Sequence, residues 1–300
     1  MKILISGSHG LVGTALRKSL QTEGHEVVRL VRHAPEKSSA EVEWSPDRYS
    51  IAISRLEGFD ALIHLAGESI AEGRWTEEKK RRIKESRVKG TQLLSESLAT
   101  LKSPPKVFLC ASAIGYYGNR GDEILTETSS PGSDFLASVC VEWENATREA
   151  AEKGIRTVNL RFGMILDSEG GALAKMLTPF RMGIGGKVGN GRQWISWIAL
   201  DDVVGAIKHA MTSETLAGPI NVVAPAPVTN AVFTKTLGKV LSRPTLFPVP
   251  AFAARLAFGE MADAILLSSQ RVEPGRLKDS GYIFQYPELE ATFTHLLRKS

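Results

Sequence analysis

Cysteine is scarce: the 300 residues contain two, Cys110 and Cys140. Two thiols cannot supply a disulfide framework for a chain of this size, so a reducing cytoplasm is the expected compartment. No apolar run approaches the ~18 residues of a membrane span, and no membrane association is expected. The opening MKILISGSHG has an apolar core too short for a secretory signal. The six histidines and two cysteines show no metal-ligand spacing, so no metal is expected. A Gly-x-Ser-x-Gly elbow is also missing, which removes support for a serine hydrolase. A net charge of +4 without a basic stripe interleaved with aromatics argues against a nucleic-acid partner. With 43% apolar and 23% charged residues, the composition is that of a globular protein of one large or two medium domains.

Short apolar, β-branched runs occur at 2–6, 26–31, 61–65, 107–111 and 156–161. Segments with helical spacing separate most of them. In the first, Val12, Leu16 and Leu20 recur every four residues and Gly24 stands at the expected C-cap. The runs lack polar alternation and read as strands buried on both faces, the βαβ pattern of a parallel sheet. The expected fold is α/β: a doubly wound parallel sheet with helices on both faces. After Arg161 the rhythm breaks into a Gly-rich stretch, helices at 202–211 and 230–241, and a strand at 220–223. The sequence therefore predicts a nucleotide-binding domain over 1–165, to which the chain returns around 195–224. Residues 166–300 would form mainly a smaller α+β lobe that binds substrate.

Gly7, Gly10 and Gly13 follow the first strand and open the first helix. Gly7 permits the tight turn, Gly10 lets the backbone approach a pyrophosphate, and Gly13 lets helix and strand pack closely. The helix N–H groups then face the anion. A carboxylate ~20 residues further on would hold an NAD ribose. Here the second strand ends in Arg32, with His33 beside it and Arg29 three residues earlier. Arginine suits a 2′-phosphate, which a carboxylate would repel, so NADP(H) is the expected cofactor.

The Gly7-x-x-Gly10-x-x-Gly13 loop resembles that of the extended short-chain dehydrogenase/reductases, which have a Rossmann fold. Other segments agree in order: Asp60–Gly67, Arg87-Val-Lys-Gly90-Thr91, the stretch from Ser112 to Gly118, and Trp197–Asp201. Ala-Gly-Glu at 66–68, Gly-Tyr-Tyr-Gly at 115–118, Gly-Arg-Gln-Trp at 191–194 and Gly-Glu-Met-Ala-Asp-Ala at 259–264 are similar to the atypical epimerase family proteins, of the NAD-dependent epimerase/dehydratase type. The resemblance spans nearly the whole chain. It implies that Gly7, His9, Gly10, Leu11, Val12, Val31, Arg32, Leu65, Ala66, Gly67, Arg87 and Ser112 line the cofactor.

The superfamily's general acid/base is the Tyr of a Tyr-x-x-x-Lys helix, and no such pair exists in this chain. Aligned through Glu144, Leu136 takes the tyrosine's place and Cys140 the lysine's. The candidates to replace them are Tyr116 or Tyr117, Glu68 and Ser112, all at carboxyl ends of strands, where open α/β sheets bind ligands. Glu68 also suits a helix N-terminal acid, and the tyrosines also suit packing against the C-terminal lobe.

The densest basic run, 77–89, starts a helix capped by Thr76. It reads as a solvated face from which Arg87, and less directly Arg82, could join Arg32 around one phosphate. The loop 183–197, with Arg192, Gln193, Trp194 and Trp197 and with Arg181 just before it, suits either a substrate lid or a structural loop. The expectation is an NADP(H)-dependent oxidoreductase or epimerase-like enzyme, monomeric or homodimeric. It would act on a carbonyl or secondary hydroxyl of a small molecule, for instance a sugar nucleotide, in the cleft between lobes. The rival is a non-catalytic NADP(H)-binding sensor.

Overall fold

The computed structural model describes residues 1–35 and 40–298. Its centre is an eight-stranded sheet: β1 (Lys2–Ser6), β2 (Glu26–Val31), β3 (Glu41–Ser45), β4 (Ser50–Ile51), β5 (Ala61–His64), β6 (Val107–Ala113), β7 (Arg156–Phe162) and β8 (Gly218–Val222). The spatial order is β8-β7-β6-β5-β1-β2-β3-β4. Every pairing is parallel except that of β4 with β3. The five strands legible as apolar runs form the middle of this sheet, and residues 218–222 return to its edge beside β7.

Alternation along each strand divides the core between two faces. Ile3 and Ile5 point toward Leu16 and Leu20 of α1 (Leu11–Thr22), while Leu4 points toward α2 (Glu77–Ala99). The α2 side is completed by Trp143 of α3 (Phe135–Asn145), and the α1 side by Ala206 and Ile207 of α4 (Leu200–Thr212). This is the doubly wound Rossmann architecture. Thr76 caps α2, its hydroxyl accepting from the Lys79 amide. The C-terminal helices gather around Phe233 and Phe293, whose rings meet edge to face. Asp202, fully buried, fastens them to α4: it accepts hydrogen bonds from the Tyr282 hydroxyl and from the Gln285 and Tyr286 amides at 2.8–2.9 Å. Among the described residues no helix is long and apolar enough to cross a membrane.

One buried group makes a pH prediction. His64 ends β5, with Nδ1 2.5 Å from Ser6 Oγ and its ring edge-on to Trp44. Among the described residues its buried Nε2 has no hydrogen-bond partner. Burial pushes its pKa from the ordinary 6.5 down to about 3. Between those values the unfolded chain binds a proton that the folded chain does not. This site therefore loses stability as pH falls below 6.5, by up to about 1.4 kcal/mol per pH unit. Chemical denaturation of His64→Gln and wild type from pH 7 to pH 4 should give a shallower decline for the variant; parallel curves would refute a neutral buried imidazole.

Candidate active site

Gly7 has φ +69°, a left-handed backbone that favours glycine. A Cβ there would lie 2.6 Å from the Leu65 carbonyl carbon, so β1 and β5 can approach only over a glycine. At Gly13 a Cβ would meet Gly7 O at 2.2 Å, which requires a bare helix against the turn. At Gly10 a Cβ would meet only Gly7 O, at 3.4 Å, so the space above the loop is open. Gly10 is also the N-cap of α1; no side chain caps that end, and its first turn carries no acid. The turn thus presents uncapped N–H groups and a positive dipole end to an open face, an arrangement that fits a pyrophosphate. Ser8 Oγ is buried in the same loop and has no hydrogen-bond partner among the described residues.

At the end of β2, Val31 is buried and Arg32 exposed. Among the described residues, Arg32 has no hydrogen-bond or ion-pair partner. Arg29 is spent elsewhere, which corrects its assignment to a phosphate: its guanidinium pairs with the buried Glu41 carboxylate and approaches His9 Nε2 at 2.8 Å. Leu65 and Ala66 stand against Gly7, and Leu11 against Gly170 and Gly171. Gly67 is exposed, at the next position along the carboxyl edge of the sheet.

Arg87 is engaged within the protein. Its guanidinium lies beneath Gly67, donates to the carbonyls of Ile83 and Glu68 at 3.0 Å, and stacks over Trp143. With β1 between them, the strands β5 and β2 are about 10 Å apart. The basic run of α2 is likewise paired: Lys80 with Glu260, Arg82 with Glu78, and Lys84 with Glu142.

Glu68 accepts a hydrogen bond from the nearly buried Lys79 Nζ at 2.7 Å, and this bond holds its pKa below the ordinary carboxylate value. The carboxylate is thereby engaged within the protein. The Ser112 hydroxyl is also committed, donating to Glu144 at 2.7 Å. Glu144 in turn receives a bidentate pair from Arg161 Nε and Nη2, each at 2.8 Å. Arg161 Nη1 donates to the Tyr117 hydroxyl, which itself donates to Asn221 at 2.6 Å. Burial raises Tyr117 to about 12, and its hydroxyl is used up within the core. That removes Tyr117 and leaves Tyr116, which is half-buried, its ring face 3.5 Å from the Arg161 guanidinium carbon. No described residue bonds the Tyr116 hydroxyl.

Leu136 and Cys140 of α3 both pack against the turn at Gly115. A Cβ on Gly115 would fall 3.5 Å from Leu136 Cβ and 3.8 Å from Cys140 Sγ. Burial drives the Cys140 thiol up to about 12, so it is packing rather than a nucleophile. The 183–197 loop is pinned. Gln193 donates to the carbonyls of Val188 and Leu266, Trp194 donates to Asp122, and Trp197 is fully buried. Arg192 remains exposed beside a cavity of 380 Å³ shared with Asn190, Arg255 and Ser269.

The residue that the sequence did not flag is Arg161. It is an arginine inside an apolar strand, Thr-Val-Asn-Leu-Arg-Phe, and that mismatch was its one available signal.

Residues 3–223 match the NAD dependent epimerase/dehydratase family, and residues 249–296 match a domain of unknown function. The epimerase family protein Mb2239 of Mycobacterium bovis is 42% identical over 284 residues, covering 95% of this chain and 93% of its own. The human epimerase family protein SDR39U1 is 35% identical over 300 residues, covering 99% and 100%. A crystal structure of the human protein (isoform 2) with NADPH superposes with a TM-score of 0.92 at 32% identity, covering all of both chains. A nucleoside-diphosphate sugar epimerase from Corynebacterium glutamicum superposes at 0.82 with 40% identity, covering 99% of this chain and 58% of that one. The chain belongs to the NAD dependent epimerase/dehydratase family.

Proposed function

We propose that this chain is an NADP(H)-dependent oxidoreductase or epimerase-like enzyme acting on a carbonyl or secondary hydroxyl in a cleft between the sheet's carboxyl edge and the C-terminal elements. The observation that carries the reading is the pairing of an open, uncapped α1 N-terminus with an uncommitted arginine at the end of β2. The first suits a pyrophosphate and the second a 2′-phosphate. The similarity to a human protein whose structure was determined with NADPH supports the same cofactor. When bound, NADPH supplies a hydride from nicotinamide C4.

The chain's residues then have separate tasks. The Gly7–Gly10 turn holds the phosphates, and Arg32 selects the phosphorylated ribose. The Tyr116 hydroxyl, uncommitted and seated on Arg161, gives or takes the proton on the substrate oxygen. The sensor reading also has an observation in its favour, because Glu68, Ser112 and Tyr117 are all engaged within the protein. Turnover of NADPH by a carbonyl compound separates the two.

The cofactor reading is tested by equilibrium titration. Wild type should bind NADPH more tightly than NADH, and Arg32→Ala should weaken NADPH ~10–100-fold while leaving NADH unchanged. Equal wild-type affinities for the two cofactors would defeat the 2′-phosphate assignment.

A further inference from the structure

We propose that the carbonyl this enzyme reduces is carried by an apolar molecule, a ketone on an alkyl or aryl body, rather than by a sugar nucleotide. The inference rests on the NADPH-dependent reading above and names its substrate class.

The direction of the dinucleotide locates the reacting end. Its 2′-phosphate belongs at Arg32 on β2 and its pyrophosphate at the β1–α1 turn. The other half therefore runs along the carboxyl edge of the sheet, over the ends of β5 and β6. Gly67 and Gly115 stand there, and beside Gly115 is Leu136. Leu136 belongs to an apolar cluster with Phe135, Ile70 from the loop after β5, and Ala264 and Ile265 from the π-helical turn Ala262–Leu266. All five are half-buried and form an apolar wall over the buried Trp75, Ile83 and Met261. The wall continues outward. Arg74, in the same loop as Ile70, donates to the Leu256 carbonyl at 2.6 Å, and the helix bearing Leu256 (Ala251–Phe258) leaves Leu256 75% and Phe252 72% exposed.

Several polar groups at the sheet's carboxyl edge are already engaged within the protein. Ser112 and Arg161 serve Glu144, Glu68 serves Lys79, and Arg87 is bound to backbone carbonyls. Gln270 donates its amide to the carbonyls of Ile114 and Gly118. A pyranose carries several hydroxyls, and each one buried without a partner weakens binding roughly tenfold. Toward the C-terminal elements, Arg255 pairs with Asp263 and Arg271 stacks on Trp194, while Arg192 stays exposed beside the 380 Å³ cavity, outside the apolar cluster. A lone carbonyl oxygen needs one donor, and the Tyr116 hydroxyl supplies one. The reaction balances: the carbonyl carbon takes the hydride and its oxygen the Tyr116 proton. The products are a secondary alcohol and NADP⁺, and Tyr116 is reprotonated from water.

The test uses the full chain with 2-decanone and UDP-glucose as probes. Calorimetry without and with NADPH reads binding, and loss of NADPH absorbance reads turnover. We expect 2-decanone to bind and be reduced, with UDP-glucose at least ~10-fold weaker, and Ile265→Asn or Ile70→Asn to weaken the ketone ~10-fold or more. Tighter binding of UDP-glucose than of 2-decanone, no ketone binding, or ketone binding indifferent to both substitutions overturns the proposal. Failure of the underlying reading looks different: NADPH itself does not bind, or the bound ketone leaves it unoxidised.

Discussion

Tyr116→Phe should slow NADPH-dependent ketone reduction by ~10²–10⁴-fold and leave NADPH affinity unchanged, the size expected when a positioned proton donor is removed. Of the hydroxyls and carboxyls at the sheet's carboxyl edge, Tyr117, Ser112 and Glu68 are hydrogen-bonded within the protein. The Tyr116 ring packs on its neighbour Tyr117, edge to face at 5.3 Å, and lies flat on Arg161. Phenylalanine retains both contacts, so the variant removes one oxygen and little else. Glu68→Gln is the comparison. Its carboxylate is held ionised by Lys79, so losing the charge disturbs an ion pair at the mouth of α2 while turnover stays near wild type. Rates from the loss of NADPH absorbance, measured at saturating ketone, decide the matter. Wild-type turnover by Tyr116→Phe would remove Tyr116 from the chemistry. A Glu68→Gln defect matching it would restore the carboxylate as a candidate.

The contrast between the two tyrosines shows what the sequence could and could not convey. The glycine loop and the five central strands are local patterns: strand, turn and helix follow within a few residues, and buried parallel strands are continuously apolar. β3 escaped notice because Glu-Val-Glu-Trp-Ser alternates acids with apolar residues, and its first acid is buried in an ion pair with Arg29 on β2. The site was legible as a region but not as roles. Tyr116 and Tyr117 sit side by side in a 3₁₀ turn, and which of them faces the core is decided by Asn221, 104 residues away. Glu68 looked available because Lys79 reaches it across a loop, not along a helix face. Arg87 looked free for a phosphate because its bonds to the Ile83 and Glu68 carbonyls depend on how the loop after β5 packs on α2.

Arg161→Met should destabilise the fold by about 3–5 kcal/mol, as expected for removing one member of a buried ion pair. The Arg161 side chain is 3% exposed and that of Glu144 11%. Burial alone disfavours the guanidinium's charge, but the hydrogen bonds and charge of Glu144 outweigh it and hold the Arg161 pKa above its ordinary value. Methionine fills much of the volume yet leaves Glu144 with only the Ser112 hydroxyl, Tyr117 without its donor, and Tyr116 without the plane beneath its ring. The double variant Arg161→Met/Glu144→Leu removes the stranded charge as well. It should recover most of the loss, because an apolar pair of similar size is often as stable as the ions it replaces. Urea denaturation midpoints of the two variants and wild type give the comparison. Equal losses in the single and double variants would mean that packing around Arg161, rather than charge left on Glu144, sets the cost. The double variant should still bind NADPH, since neither residue lies at the Gly7–Gly10 turn or at Arg32. Its turnover should nevertheless fall, because Tyr116 would keep its hydroxyl but lose the cation that orients the ring. Full turnover in the double variant would show that Tyr116 needs no such support.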